Sequence, residues 1–336
     1  MAFKRFDPQD FVVSSDSITS TVWSTGNPTL ATFYTSSIQL ASSAGNYYLS
    51  IFDTTSSADQ QVQFDIVYAN MVGSGSVWYN PIVPGNSYTK TMYGQYRSLI
   101  LEDENANFIF GTGTNYITGS DFWVLSIERA RYKQSLLPGS LNLQISGSGG
   151  VVNLTDDSLD TLVSTFIGST RVYQLISGSN GTAGSLPGSG YVTNSGSYGL
   201  IFPDLGTIII NPYALSQSIA VEPSRSYNAD GLNTSRLYDA INLGASFQLN
   251  SQETITSDYV FVRARNAEFN YSENPSFISG SNGEVIYDEF INQPQVYITT
   301  VGMYNDNNDL LAVAKMSRPL LKDFTKEALI RVKLDF

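Results

Sequence analysis

This sequence predicts a mainly β protein, and three observations carry that expectation. Only 14% of its 336 residues are charged, against about 25% in ordinary globular chains. Aromatic residues are abundant, with 21 Tyr and 18 Phe, and such side chains, like β-branched ones, pack well on a pleated surface. Short apolar runs also recur with turn residues between them, the rhythm of a sandwich or barrel. A hydrophobic share of 42% is enough for real cores. The expected architecture is a set of β-sandwich-like domains with one short helix and a Gly/Ser-rich β insertion.

Taken in order, the chain opens with a charged start and a first strand near Phe11–Val13. Gly26-Asn27-Pro28 makes a turn inside Trp23–Tyr34. Asn46–Phe52 and Val62–Ala69 read as strands. In the second, Val62, Phe64, Ile66 and Tyr68 alternate with Gln63, Asp65 and Val67, the period of a sheet with one covered face. Tyr96–Leu101, Phe108–Phe110 and Asp121–Ile127 continue the series beyond the turn-rich Gly73–Pro84. Glu128–Gly139 is basic and stops at Pro138-Gly139, and Leu141–Ile145 is a further short strand. Residues 1–145 are therefore expected to form an N-terminal β domain.

Residues 146–220 change character, with dense Gly and Ser around strands at Val172–Ile176 and Leu200–Ile210. The hexapeptide ISGSNG stands at 176–181 and again at 278–283, with ISGSGG at 145–150. Each reads as a strand running into a turn, and the unequal separations exclude a solenoid. Residues 221–336 are expected to form a C-terminal β domain. Ser235–Leu243 is its one helix, capped from Asn233–Ser235, and Ser257–Ala264 is a strand. Val296–Tyr304 and Leu310–Met316 flank Asn305–Asp309 as a hairpin, Ser317–Pro319 marks a break, and an alternating strand with Leu329, Val332, Leu334 and Phe336 as its apolar residues runs to Phe336.

Much chemistry is excluded by composition. The chain has no His and no Cys, which removes disulfides, thiolate and imidazole metal sites, and Ser–His–Asp catalysis. There is no Gly-Lys pair for a phosphate loop, no GxGxxG after a strand and no GxSxG elbow. A net charge of -12 argues against general nucleic-acid binding. No apolar run approaches the ~18 residues of a membrane span, and the N-terminus lacks a signal-peptide core. The expectation is a protein made in a cytoplasm that stays soluble or joins an assembly, with no cofactor.

Carboxylate chemistry is what composition leaves. Glu102, Asp103 and Glu104 form one cluster and Asp156, Asp157 and Asp160 another, though runs of acids commonly line exposed loops. Asp306–Asp309 misses the calcium-loop spacing, because Leu310 falls where a ligand belongs. Tyr47, Tyr48, Trp78, Tyr79, Tyr88, Tyr93 and Tyr96 could stack on sugars, or fill cores and subunit interfaces. Cations concentrate near the end: Lys315, Arg318, Lys322, Lys326, Arg331 and Lys333. They form a candidate interface for an acidic partner, or an ordinary solvated face.

Three segments carry a family likeness. MAFKRFDPQDFVVSSDSITSTVWSTG at the start, WVLSIERARYKQSLLPGSLNL in the middle and YITTVGMYNDNNDLLAVAKMSRPLLKDFTKEALIRVKLDF at the end resemble structural proteins of contractile-tailed bacteriophages, especially marine and cyanobacterial T4-like ones. The ending also resembles the closing hairpin and terminal strand of the baseplate wedge subunit family. The resemblance covers about a quarter of the chain and names no active site. It implies a late, non-enzymatic virion structural protein of the tail, assembled in the host cytoplasm. Such a protein would be multi-copy or homo-oligomeric and would dock onto other tail or baseplate proteins, with no nucleic acid or membrane as partner. A carbohydrate-binding or glycan-cleaving tail protein and a neck or head–tail connector are the alternatives.

Overall fold

The computed structural model describes residues 4–36, 47–56, 58–77, 82, 87–160, 165–184, 190–227, 232–272, 274–280 and 282–335. Asn46, Trp78, Tyr79 and Phe336 lie outside the described residues. Strands make up 46% of the chain and helices 15%, so the fold is mainly β as expected. The chain divides into two compact units, Ile18–Glu253 and a discontinuous one made of Met1–Ser17 with Thr254–Phe336. The boundaries expected at 145/146 and 220/221 both fall inside the larger unit.

β1 (Phe11–Thr21) begins in the smaller unit. The strands that follow belong to the larger one: β2 (Thr29–Leu30), β3 (Leu49–Phe52), β4 (Val62–Asn70), β5 (Phe108–Thr112), β6 (Asn115–Gly119), β7 (Asp121–Ile127), β8 (Ser135–Leu136) and β9 (Asn142–Gly147). They continue as β10 (Gly150–Asp156), β11 (Thr165–Ile167), β12 (Thr170–Ser179), β13 (Thr182–Ala183), β14 (Gly199–Phe202), β15 (Thr207–Ile210) and β16 (Phe247–Gln248). Among the described residues three helices join them: α1 (Tyr88–Leu101), α2 (Pro212–Ile219) and α3 (Asn233–Gly244).

A single antiparallel sheet runs β2-β16-β9-β10-β12-β14-β15-β7-β4-β3, with β11 and β13 paired to β12. It curls until its ends approach, because Tyr34, just after β2, bridges Phe52 in β3. Strand alternation sorts its side chains into two cores. One face gives Phe64, Ile66, Trp123, Leu125, Ile208 and Phe247 to a core that also takes Leu237 and Ile241 of α3. The opposite face gives Val67, Phe122, Val124, Leu200 and Ile209 to a second core, under Tyr93 and Ile100 of α1. The expectation of one covered face for β4 is thus corrected. Val67 is buried as fully as its neighbours, because α1 covers the side that alternation alone left to solvent.

Two further corrections concern helices. Tyr96–Leu101 is not a strand but the second half of α1, and among the described residues four helices stand where one was expected. Its aromatic and β-branched residues suggest a strand, but Met92, Tyr93, Tyr96, Ile100 and Leu101 repeat at the helical period and meet one core. The α2 helix starts at an Asn-Pro signal: the Asn211 side chain accepts from the Tyr213 N–H at 3.1 Å, with Pro212 in the first turn. The helix expected at Ser235–Leu243 is present as α3. Leu200–Ile210 is a hairpin, β14 and β15, rather than one continuous run.

The last strands are β17 (Asn250–Ala264), β18 (Ile278–Ser279), β19 (Glu284–Val285), β20 (Gln295–Tyr304), β21 (Leu310–Asp323) and β22 (Ala328–Asp335), with a short helix α4 (Asp288–Asn292) before β20. In the smaller unit β17 lies between β1 and β22. The hairpin of β20 and β21 forms a separate two-stranded ribbon. Val301 and Met303 of the ribbon pack with Val260 of β17 and Val332 of β22 in a small core. This is a thin sandwich.

The hairpin turn at Asn305–Asp309 is as expected. The Asn305 carboxamide oxygen accepts from the backbone N–H of Asn307 and Asp309, and Asn308 is left-handed at φ 66°. The break at Ser317–Pro319 is corrected. β21 runs on through it, and the register slips between Ile298↔Leu320 and Thr300↔Lys315, leaving Thr299 opposite a four-residue bulge. In β22 the inward residues are Ala328, Ile330, Val332 and Leu334, while Leu329 is exposed.

The repeated hexapeptides all sit at hairpin turns, in different registers. At 176–181, Ser179 pairs with Thr182 across a tight Asn180-Gly181 turn with both φ angles positive. At 278–283 the pair is Ser279 and Glu284, which leaves a four-residue loop.

Candidate functional site

The expected basic patch divides. Lys315 and Arg318 are exposed on β21, with no ion pair among the described residues. Lys326 lies 3.5 Å from Asp323 and Lys333 lies 2.9 Å from Asp335. Ser257 first, then Lys333, hold the Asp335 carboxyl below its ordinary range, and Asp335 in turn raises Lys333. Both groups face water, where such pairs contribute little. Arg331 lies over the Tyr259 ring at 5.4 Å. Lys322 does not belong to a surface at all. It is fully buried, and its ammonium donates to the carbonyls of Asn266 and Asp323, each at 3.0 Å, and to the Asn270 side chain at 2.7 Å. Three donors meet three acceptors, so the lysine serves as a resident cation that fastens the 266–270 turn to β21.

Beside the ribbon lies a cleft of about 810 Å³. Tyr297 to Gly302, six consecutive residues of β20, line it, together with Val262–Ala264 of β17, Phe269, Ile330 and the segment from Lys4 to Phe6. The Lys4 ammonium donates to the Arg263 carbonyl at 2.6 Å and pairs with Glu268 at 2.8 Å. That contact, first of all, holds the Glu268 carboxyl below its ordinary range. Arg5 and Arg263 are exposed, and their guanidinium groups have no ion pair among the described residues. Sequence reading missed this feature. Its signal was the uncharged run QVYITTVGMY, a long strand with none of the charges that usually protect a sheet edge.

The acid clusters in the larger unit are bound into the backbone. Glu102 is the left-handed C-cap of α1, and Asp103 accepts from the Asn105 N–H. Asp156 is buried and accepts from the N–H groups of Gly139 and Ser158. Burial outweighs these bonds and holds its carboxyl above the ordinary range. Asp157 and Asp160 accept from Gln174 and Ala183. Each of these five acids except Glu102 satisfies a backbone donor, the work of turn and cap residues. Among the described residues no group of three or more acids could hold a metal ion.

One further polar cluster is buried. Asp121 accepts from the Tyr68 hydroxyl and from Arg225, both at 2.8 Å, and Arg225 stacks on Tyr213 at 4.5 Å. Burial and then the Asp121 charge push the Tyr68 phenol above its ordinary range. Both Asp121 oxygens are engaged, so the cluster clamps Arg225 to the start of β7. It offers no free base.

The aromatic set is also divided. Tyr88 and Tyr93 are buried and Tyr96 packs against the second core, while Tyr47 and Tyr48 are exposed.

No family model, no curated protein and no solved structure matches this chain. The functional reading therefore stands on the residues themselves. No helix among the described residues is long and apolar enough to cross a membrane.

Proposed function

We propose that this chain is a non-enzymatic structural protein of a contractile phage tail, a baseplate wedge component that docks onto other tail proteins. The reading starts from the resemblance of the two ends and of Trp123–Leu143. The observation that carries it is the ribbon of β20 and β21, whose outward side exposes Tyr297, Leu310, Leu311 and Val313 beside Lys315. A two-stranded ribbon is marginal alone, and one with large apolar residues and open edges is suited to burial against a neighbour. Lys315, Arg318, Lys326, Arg331 and Lys333 are the cations available to such a contact, and Lys322 is withdrawn from it.

Electron microscopy and mass spectrometry of purified particles test this directly. The chain is expected at fixed stoichiometry in the tail, in several copies, and its absence from particles would overturn the reading. Charge reversal at Lys315, Arg318 and Arg331 together should lower incorporation without moving the unfolding midpoint. Normal incorporation of that variant would make these cations ordinary solvated charge. Specific binding of the isolated chain on a glycan array would favour a receptor-binding tail protein instead.

A further inference from the structure

We propose that Asn282 is a site of spontaneous deamidation through a succinimide, and that the fold holds Asn180, in the identical hexapeptide, unreactive. The inference is independent of the docking reading above.

The chain has two Asn-Gly pairs, and both close a copy of ISGSNG. Asn-Gly is the pair in which ring closure is least hindered, because glycine lacks the side chain that would obstruct it. The glycine nitrogen attacks the asparagine Cγ and gives its proton to water, while the side-chain nitrogen leaves as ammonia. Water then opens the five-membered imide at either carbonyl, which yields aspartate or isoaspartate. Solvent water is the one co-reactant.

In the first copy both reacting groups are engaged. The Asn142 side chain donates to the Asn180 carboxamide oxygen at 2.8 Å and accepts from the Asn180 N–H at 2.8 Å. The Gly181 N–H, which would be the nucleophile, donates to Oγ1 of the buried Thr155 at 2.8 Å. The turn also closes the end of β12, a strand paired into the large sheet. Asn180 reaches the cyclic intermediate only after these three hydrogen bonds open together.

The second copy is open. Its loop joins β18 and β19, two-residue strands that among the described residues pair only with each other. Asn282 and Gly283 are both exposed. Among the described residues neither the Asn282 carboxamide nor the Gly283 N–H has a hydrogen-bond partner, and open space surrounds Gly283. So short a ribbon opens readily, and the carboxamide carbon can turn onto the glycine nitrogen. The product adds a carboxylate just ahead of Glu284, Asp288 and Glu289, so the reaction makes an acidic stretch more acidic.

The test incubates the full chain in mildly alkaline buffer and follows both sites by peptide mass spectrometry, with an isoaspartate methyltransferase reporting the rearranged product. The folded protein should lose Asn282 at least about tenfold faster than Asn180. In denaturant the two rates should converge, since the hexapeptides are identical. Asn142→Ala removes two of the three hydrogen bonds, so it should speed the loss of Asn180 in the folded chain and leave Asn282 unchanged. Gly283→Ala should slow the loss of Asn282. Equal rates at the two sites in the folded chain would overturn the proposal, as would an Asn282 that reacts far more slowly folded than in denaturant. An Asn180 that stays as slow in the Asn142→Ala chain as in the parent would overturn the protection assigned to Asn142.

Discussion

In the larger unit β15 buries all four of its residues, whereas β20 in the smaller unit, ten residues long, buries only Val301 and Met303. The difference comes from layers. The larger sheet has packed side chains on both faces, so its strands read Thr-Ile-Ile-Ile and Gly-Leu-Ile-Phe, with no polar alternation. The smaller unit has one thin core, and its strands alternate inward and outward. A doubly covered sheet supplies stability. A singly covered one leaves surface and edges for other work.

Four perturbations probe that contrast, beginning with the largest. Trp123→Ala removes a fully buried ring from the larger core and its hydrogen bond to the Asn233 carbonyl. It should cost about 3–5 kcal/mol, read by urea unfolding, and it should raise exchange across the larger unit. Lys322→Met orphans three acceptors in the smaller unit and should cost about 3 kcal/mol. Its exchange signature should stay within β21 and the 266–270 turn, and Lys326→Met should leave the midpoint in place. If Lys322→Met is silent, the resident-cation reading fails.

The two hexapeptides give a finer contrast. Gly181 and Gly283 both have positive φ, so alanine at either strains the backbone by about 1 kcal/mol. A Cβ on Gly181 would also stand 2.8 Å from the Gly139 Cα, while one on Gly283 would meet nothing within 4 Å. Gly181→Ala should therefore lower the melting temperature more than Gly283→Ala, and equal effects would break the distinction.

Asp65→Asn should have the smallest effect. Burial, only partly offset by the Ser50 hydrogen bond, holds the Asp65 carboxyl above its ordinary range. An acid raised on folding binds more protons folded than unfolded, so stability falls as pH rises from the unfolded value through the folded one. The asparagine variant should gain stability relative to the parent near neutral pH, and the gain should vanish below about pH 4. A gain that persists in acid would point to packing instead.

Much of the fold was legible because the strands advertise themselves. β4, β7, β12 and the β20–β21 hairpin follow from alternation and turn residues. α1 was not legible as a helix, since its Tyr and Thr residues favour strands by propensity and the helical spacing prevails only once a core exists to receive it. The covered second face of β4 was hidden for the same reason: the cover comes from residues about thirty positions away. Within the expected patch, sequence could count the six cations but not sort them, because the burial of Lys322 depends on Asn266 and Asn270. The cleft was legible only as an absence of charge.

The smaller unit is closed by contacts such as that of Lys4 with the Arg263 carbonyl, 259 residues along the chain. During synthesis the early segment is made long before its partners leave the ribosome, while everything the larger unit needs emerges in between. Closing so long a loop is slow relative to local pairing. The larger unit is thus expected to fold first, and β1, with Phe11, Val12 and Val13 exposed even in the finished protein, waits unpaired until β17 has been made. That exposed apolar strand is the segment most prone to aggregate in a half-made chain.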